Sequence, residues 1–171
     1  MAAGAHYVQT PEMTSLVERS RTAISRGACA EDDPTLAALR DVARETGAVV
    51  QIARWRSATA RRSPTARLID GQGEIVAAYD KLHLYDVDLP NGERWRESAT
   101  YTGGACAIVA DTALAPIGLG ICYDIRFPAL FRALAEAGAS ILTAPACFTQ
   151  QTGEPTGTCC TGPAPSRPAR S

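Results

Sequence analysis

Apolar segments patterned as strands alternate with segments patterned as helices, and that alternation implies stacked layers of helix and sheet. Residues 48–52, AVVQI, read as a strand that follows a helix at 33–46, DPTLAALRDVARET. Asp33 can cap that helix and Pro34 suits its first turn. Leu36, Leu39 and Ala43 form its apolar stripe, and Gly47 ends it. RLID (67–70) and EIVAAYD (74–80) flank Gly71-Gln72-Gly73 and read as a β-hairpin. CAIVAD (106–111) and PIGLGICYD (116–124) read as two further strands. FPALFRALAEAGA (127–139) reads as a helix with Pro128 in its first turn, and SILTAP (140–145) as a strand.

The 171 residues fit one domain. Hydrophobic residues make up 46 % of them, but only 6 % are aromatic, so bulky core side chains are scarce. A net charge of −1 gives no field that would draw nucleic acid or a membrane surface. No apolar run is long enough to span a bilayer, and the start MAAGAHYVQT has no signal-peptide pattern, so a cytoplasmic location is expected. The six cysteines (29, 106, 122, 147, 159 and 160) lack the spacing of a zinc site or a disulfide framework.

Arginine outnumbers lysine 16 to 1, as in a GC-rich gene, and the one ammonium side chain, Lys81, stands out. It directly follows a strand in YDKLHLYDVDLP (79–90). Alone, it reads most simply as a solvated surface charge. In GLGICYDIRFP (118–128) an apolar strand delivers Cys122 to a turn, and a helix follows. A nucleophile on such an elbow is held rigidly, with backbone N–H groups near a developing oxyanion. A cysteine at a strand end is nonetheless more often an inert buried thiol. Glu12 follows a strand-like run that ends at Pro11, and Glu97 precedes a Gly-rich turn in RWRESATYTGG (94–104). Taken singly, both read as loop glutamates.

Taken together, PE after a strand, DKLHLYDVD, RES followed by GG, and GLGICYDIRFP are far more specific. With ALAEAGASILTAPACFTQQTG they resemble the nitrilase superfamily of carbon–nitrogen hydrolases, in the amidase branch that contains omega-amidase and deaminated-glutathione amidase. The resemblance covers residues 5–52 and 67–154. It implies an α/β fold, an incomplete αββα sandwich, and hydrolysis of carbon–nitrogen bonds other than peptide bonds. The implied substrate is a small ω-amide acid, cleaved through a cysteine thioester with release of ammonia. By that resemblance Cys122 is the nucleophile and Glu12 the general base and acid. Lys81 and the backbone N–H of Tyr123 face the oxyanion, and Glu97 fixes local geometry. No metal or organic cofactor is implied. His6 and His83 lack a triad partner by spacing and read as structural. The partner is the small amide, with no nucleic acid or membrane; the family implies a homo-oligomer, and this chain is expected to self-associate through uncovered sheet.

Two segments depart from this pattern. ARWRSATARRSPTAR (53–67) carries five arginines, no acid and almost no bulky apolar residue, which is wrong for a packed domain. It would suit an RNA- or anion-binding loop but lacks interleaved aromatics. Residues 155–171 contain no Leu, Ile, Val, Phe, Tyr or Trp and are expected to be disordered. The division is therefore a partial hydrolase domain at 1–154, with 53–67 aberrant and basic, and a non-family tail at 155–171. Restoring one base after the Glu154 codon lets the codons that follow encode A-H-W-H-V-L-H-R-A-R-A-I, as in the family; the window 52–67 behaves similarly. Frameshifts are the expected origin of both segments. Relative to the family, a first strand, most of its helix and the elements after QQTG are missing. The alternative reading is an inactive relic of the family with no catalysis of its own, and turnover is expected to be weak or absent.

Overall fold

The computed structural model describes residues 4–14, 34–56 and 63–148. The expectations for Asp33 and for 155–171 lie outside these residues, as does the middle of the basic window.

Strand β1 (Tyr7–Gln9) runs parallel to β2 (Val49–Arg56), with Tyr7 opposite Val49. Strands β2, β3 (Pro64–Ile69) and β4 (Ile75–Asp80) then pair antiparallel, which gives a four-stranded sheet in chain order. A second sheet holds β7 (Ile108–Ala110), β8 (Ile117–Leu119) and β9 (Ile141–Thr143), with β8 in the centre. Strand β8 is antiparallel to β7 and parallel to β9. Between the sheets in sequence, β5 (Asp86–Asp88) and β6 (Arg94–Arg96) form a small separate hairpin.

The strand period of two sorts side chains into layers. Val49, Ala66, Leu68 and Tyr79 of the first sheet share one core with Ala110, Ile117 and Leu119 of the second. On the opposite face of the first sheet, Val50, Ile52 and Ile69 meet Leu36 and Ala43 of helix α1 (Pro34–Thr46), with Leu39 packed at the margin. These are the three stripe residues the sequence pattern selects. Helix α2 (Pro128–Glu136) covers the outer face of the second sheet, where a Cβ at Gly118 would lie 3.1 Å from the Cβ of Leu134. The described layers are thus helix, sheet, sheet, helix. Each fully buried Leu or Ile contributes about 1.5–3 kcal/mol to this packing.

Local chemistry sets the boundaries. Gly47 takes φ 68°, a conformation costly for other residues, and its N–H donates to the Ala43 carbonyl at 2.8 Å to close α1. In the β3–β4 turn, Asp70 Oδ1 accepts from the N–H groups of Gln72 and Glu74, both at 2.9 Å. At both edges of the basic window 53–67 the chain is built into the first sheet. Ala53 is buried, β2 runs on to Arg56, and residues 63–67 are buried as β3 begins. Arg67, only 9 % exposed, alternates with Ala66 and Leu68 and so shares the α1 face with Ile69. A long side chain can occupy such a position because its methylene stem packs as an apolar group. The expected strand at 116–124 is also shorter: β8 stops at Leu119, and a 3-10 turn (Cys122–Arg126) replaces its end.

Candidate active site

Four segments bring their ends together. Glu12 lies three residues beyond β1, and Lys81 directly follows β4, where its N–H donates to the Pro64 carbonyl at 2.9 Å and extends the ladder by one rung. Glu97 opens a 3-10 turn (Glu97–Ala99) at the end of β6. Cys122 opens its own 3-10 turn three residues past β8. The Gly-rich turn lets these segments close up: Gly104 N–H donates to the Lys81 carbonyl at 2.9 Å, and a Cβ at Gly104 would fall 2.2 Å from the Asp80 oxygen.

Lys81 is the centre of the cluster and is 1 % exposed. Its Nζ donates to Glu12 Oε1 at 3.3 Å and to Glu97 Oε2 at 3.0 Å. Glu97 Oε2 also accepts from the Tyr85 N–H at 2.7 Å, and Glu12 Oε2 from the Cys147 N–H at 3.2 Å. Both carboxylates are thus oriented by backbone as well as by the ammonium. Burial alone disfavours the charged lysine, but Glu12, Glu97 and Cys122 together outweigh it, and the Lys81 pKa rises.

The Cys122 thiol is buried beside the Glu12 carboxylate, the Lys81 ammonium and the Cys147 N–H. Burial, then the negative charge of Glu12, pushes its pKa up to about 12, with Lys81 pulling the other way. The resting sulfur is therefore a protonated thiol beside a carboxylate. Its backbone stands at φ 46°, in the left-handed region, and its N–H donates to the Pro145 carbonyl at 2.9 Å. That conformation is disfavoured for a residue with a Cβ and persists only where the surroundings impose it.

The structure thus gathers Glu12, Lys81, Glu97 and Cys122 into one cluster, with Tyr123 next in the turn. Among the described residues, no group of three or more His, Cys, Asp and Glu side chains is arranged to hold a metal ion. A cleft of about 470 Å³ lined by His6, Asp70, Asp111 and Leu114 lies at the other end of the strands, and neither cysteine nor lysine lines it.

A family model for carbon-nitrogen hydrolase matches residues 1–160. The chain belongs to the carbon–nitrogen hydrolase family. Deaminated glutathione amidase of Yersinia enterocolitica is 39 % identical over 157 residues, covering 88 % of this chain and 54 % of that protein. The chloroplastic omega-amidase of Arabidopsis thaliana is 40 % identical over 52 % of this chain and 24 % of its own length. The crystal structure of the C. elegans NitFhit protein superposes with a TM-score of 0.78 and 30 % identity, over 87 % of this chain and 37 % of that one. A mutant amidase from Nesterenkonia sp. AN1, with acrylamide added to its active-site cysteine, gives a TM-score of 0.71 and 27 % identity over 90 % and 59 %. The chain therefore spans between 24 % and 59 % of the length of these relatives, and its sandwich is partial.

Sequence reasoning missed one member of the site's support. His83 is not without an acid partner: its Nδ1 lies 2.7 Å from Asp124 Oδ1. The two are 41 residues apart, so no local spacing could reveal the pair. The visible signal was Asp124 itself, a carboxylate two residues after Cys122 in an apolar stretch. His6, in contrast, is exposed, and its carbonyl accepts from the Val49 N–H.

Proposed function

We propose that this site is that of an amidase, which hydrolyses small ω-amide acids through a thioester on Cys122. The observation that carries the reading is the buried Lys81 ammonium held by two carboxylates, one of them beside the Cys122 thiol and its proton. In the proposed cycle Glu12 takes that proton as sulfur attacks the amide carbon. The negative oxygen that forms is met by Lys81 and the Tyr123 N–H. Collapse breaks the C–N bond, and Glu12 returns the proton to the leaving nitrogen, which departs as ammonia. Glu12 then deprotonates water, which attacks the thioester carbon, and the acid leaves as the thiol is restored. Glu97 holds Lys81 in place. The amidase names of the similar proteins support an amide rather than a nitrile or carbamoyl substrate.

The test is ammonia release from small ω-amide acids by the purified chain beside its Cys122→Ala and Glu12→Gln variants. The reading expects weak but measurable turnover in the parent and none above background in either variant. A folded parent with no turnover would favour the alternative, a family member without catalysis of its own.

A further inference from the structure

Asp124 is fully buried, and four donors converge on its carboxylate. Oδ2 accepts from the Tyr79 hydroxyl at 2.8 Å and from the Ile121 N–H at 2.9 Å. Oδ1 accepts from the His83 N–H at 3.0 Å and faces the His83 Nδ1 at 2.7 Å. The sequence positions of these donors are informative. Tyr79 and His83 flank Lys81 two residues to either side, and Ile121 immediately precedes Cys122. One side chain therefore ties the lysine segment to the nucleophile segment. The tie is reinforced on both sides. The Tyr79 hydroxyl also accepts from the Leu82 N–H at 3.2 Å, and the His83 ring stacks on Phe127, with centroids 3.6 Å apart. The Phe127 N–H in turn donates to the Asp124 carbonyl at 2.9 Å.

We infer that Asp124 is a positioning residue, whose carboxylate fixes the left-handed backbone of Cys122 and sets it in register with Lys81. The inference rests on the proposed reading of Cys122 as nucleophile. At φ 46° the Cys122 backbone is strained, so it relaxes unless its neighbours are held. The bond from Ile121 to Asp124 holds the residue before it, and the bond from Cys122 N–H to Pro145 holds the residue itself. A carboxylate suits this hub because it is acceptor-only, with lone pairs for every donor. An amide does not fit: its NH2 must face either the Ile121 or the His83 N–H, so one buried donor is left unsatisfied. A small displacement of sulfur from Glu12 and Lys81 is costly, because misplacement by about 1 Å can slow a reaction by about 100-fold.

The experiment measures alkylation of Cys122 by iodoacetamide at neutral pH, followed by peptide mass spectrometry on the full chain. Cys106, an exposed thiol outside the site, is the internal reference. Asp124→Asn is expected to slow Cys122 alkylation by about 10- to 100-fold relative to Cys106. Tyr79→Phe, which deletes one bond and keeps the ring, gives a smaller loss in the same direction and serves if the first variant does not fold. Leu36→Ala, under α1 and outside the site, is the control for lost stability. It leaves the ratio within about twofold even where its melting temperature falls as far. A wild-type ratio in folded Asp124→Asn, or an equal change in Leu36→Ala, would overturn the inference. Failure of the amidase reading has a different signature: no ammonia from the parent, while the Asp124→Asn effect on alkylation persists.

Discussion

Replacing Lys81 by methionine keeps most of the side-chain volume and deletes only the charge. In the native protein that charge sits 3.3 Å from Glu12 and 3.0 Å from Glu97, and the three side chains are 1 %, 3 % and 7 % exposed. Lys81→Met leaves two carboxylates buried beside each other with their shared cation gone. Removing one partner of a buried ion pair costs about 3–5 kcal/mol. Domains of this size are stable by only about 5–15 kcal/mol, so about a fifth or more of the margin is at stake. The sign of the pH dependence follows. The Lys81 pKa is raised, so its contribution is complete below the ordinary lysine value of 10.5 and fades as pH climbs past it. Parent and variant therefore differ most below pH 10.5, and the gap between them narrows above it. Urea unfolding of parent and variant at about pH 7.5 and about pH 11 checks both points. A variant as stable as the parent at the lower pH, or a gap that does not narrow at the higher one, would refute the reasoning.

Three further outcomes are expected. Because the Cys122 pKa is raised from 9.0 to about 12, its alkylation rate should keep climbing above pH 9 rather than level off there, as peptide mapping across alkaline pH would show. By the same linkage, the neutral thiol stabilises the fold below pH 9, and that contribution is lost as pH rises towards about 12. Gly104→Ala places a Cβ 2.2 Å from the Asp80 carbonyl oxygen, so it should lower stability by about 1–3 kcal/mol in urea unfolding and reduce any turnover; an unchanged midpoint would contradict the close approach described for this turn.

The site's principal side chains were legible because each ends or follows a strongly patterned segment. Lys81 directly follows EIVAAYD, and Cys122 follows an apolar strand, so chain direction alone carries both towards strand ends. The layers were legible for a similar reason: Leu36, Leu39 and Ala43 recur at helical spacing against a β-branched strand. Other features depend on contacts between distant residues. The hairpin β5–β6 has three-residue strands whose pairing Val87 with Trp95 carries too little pattern to be seen. The burial of Arg67 runs against composition, and follows from its central place between β2 and β4. Strand β8 ends early because Cys122 turns left-handed, and nothing in GLGICYD marks a positive φ at a residue other than glycine. The Asp124–His83 pair forms only once the two sheets meet.

The most direct test of the account traps the thioester. The chain is mixed with a small ω-amide acid, quenched in acid within the first turnovers, and digested for mass spectrometry. The account predicts that the peptide bearing Cys122 gains the mass of the acid less one water, and that the Cys122→Ala chain gains no adduct and releases no ammonia. Ammonia release without any adduct on Cys122, an adduct on Cys106 or Cys147 instead, or turnover that survives Cys122→Ala would contradict it.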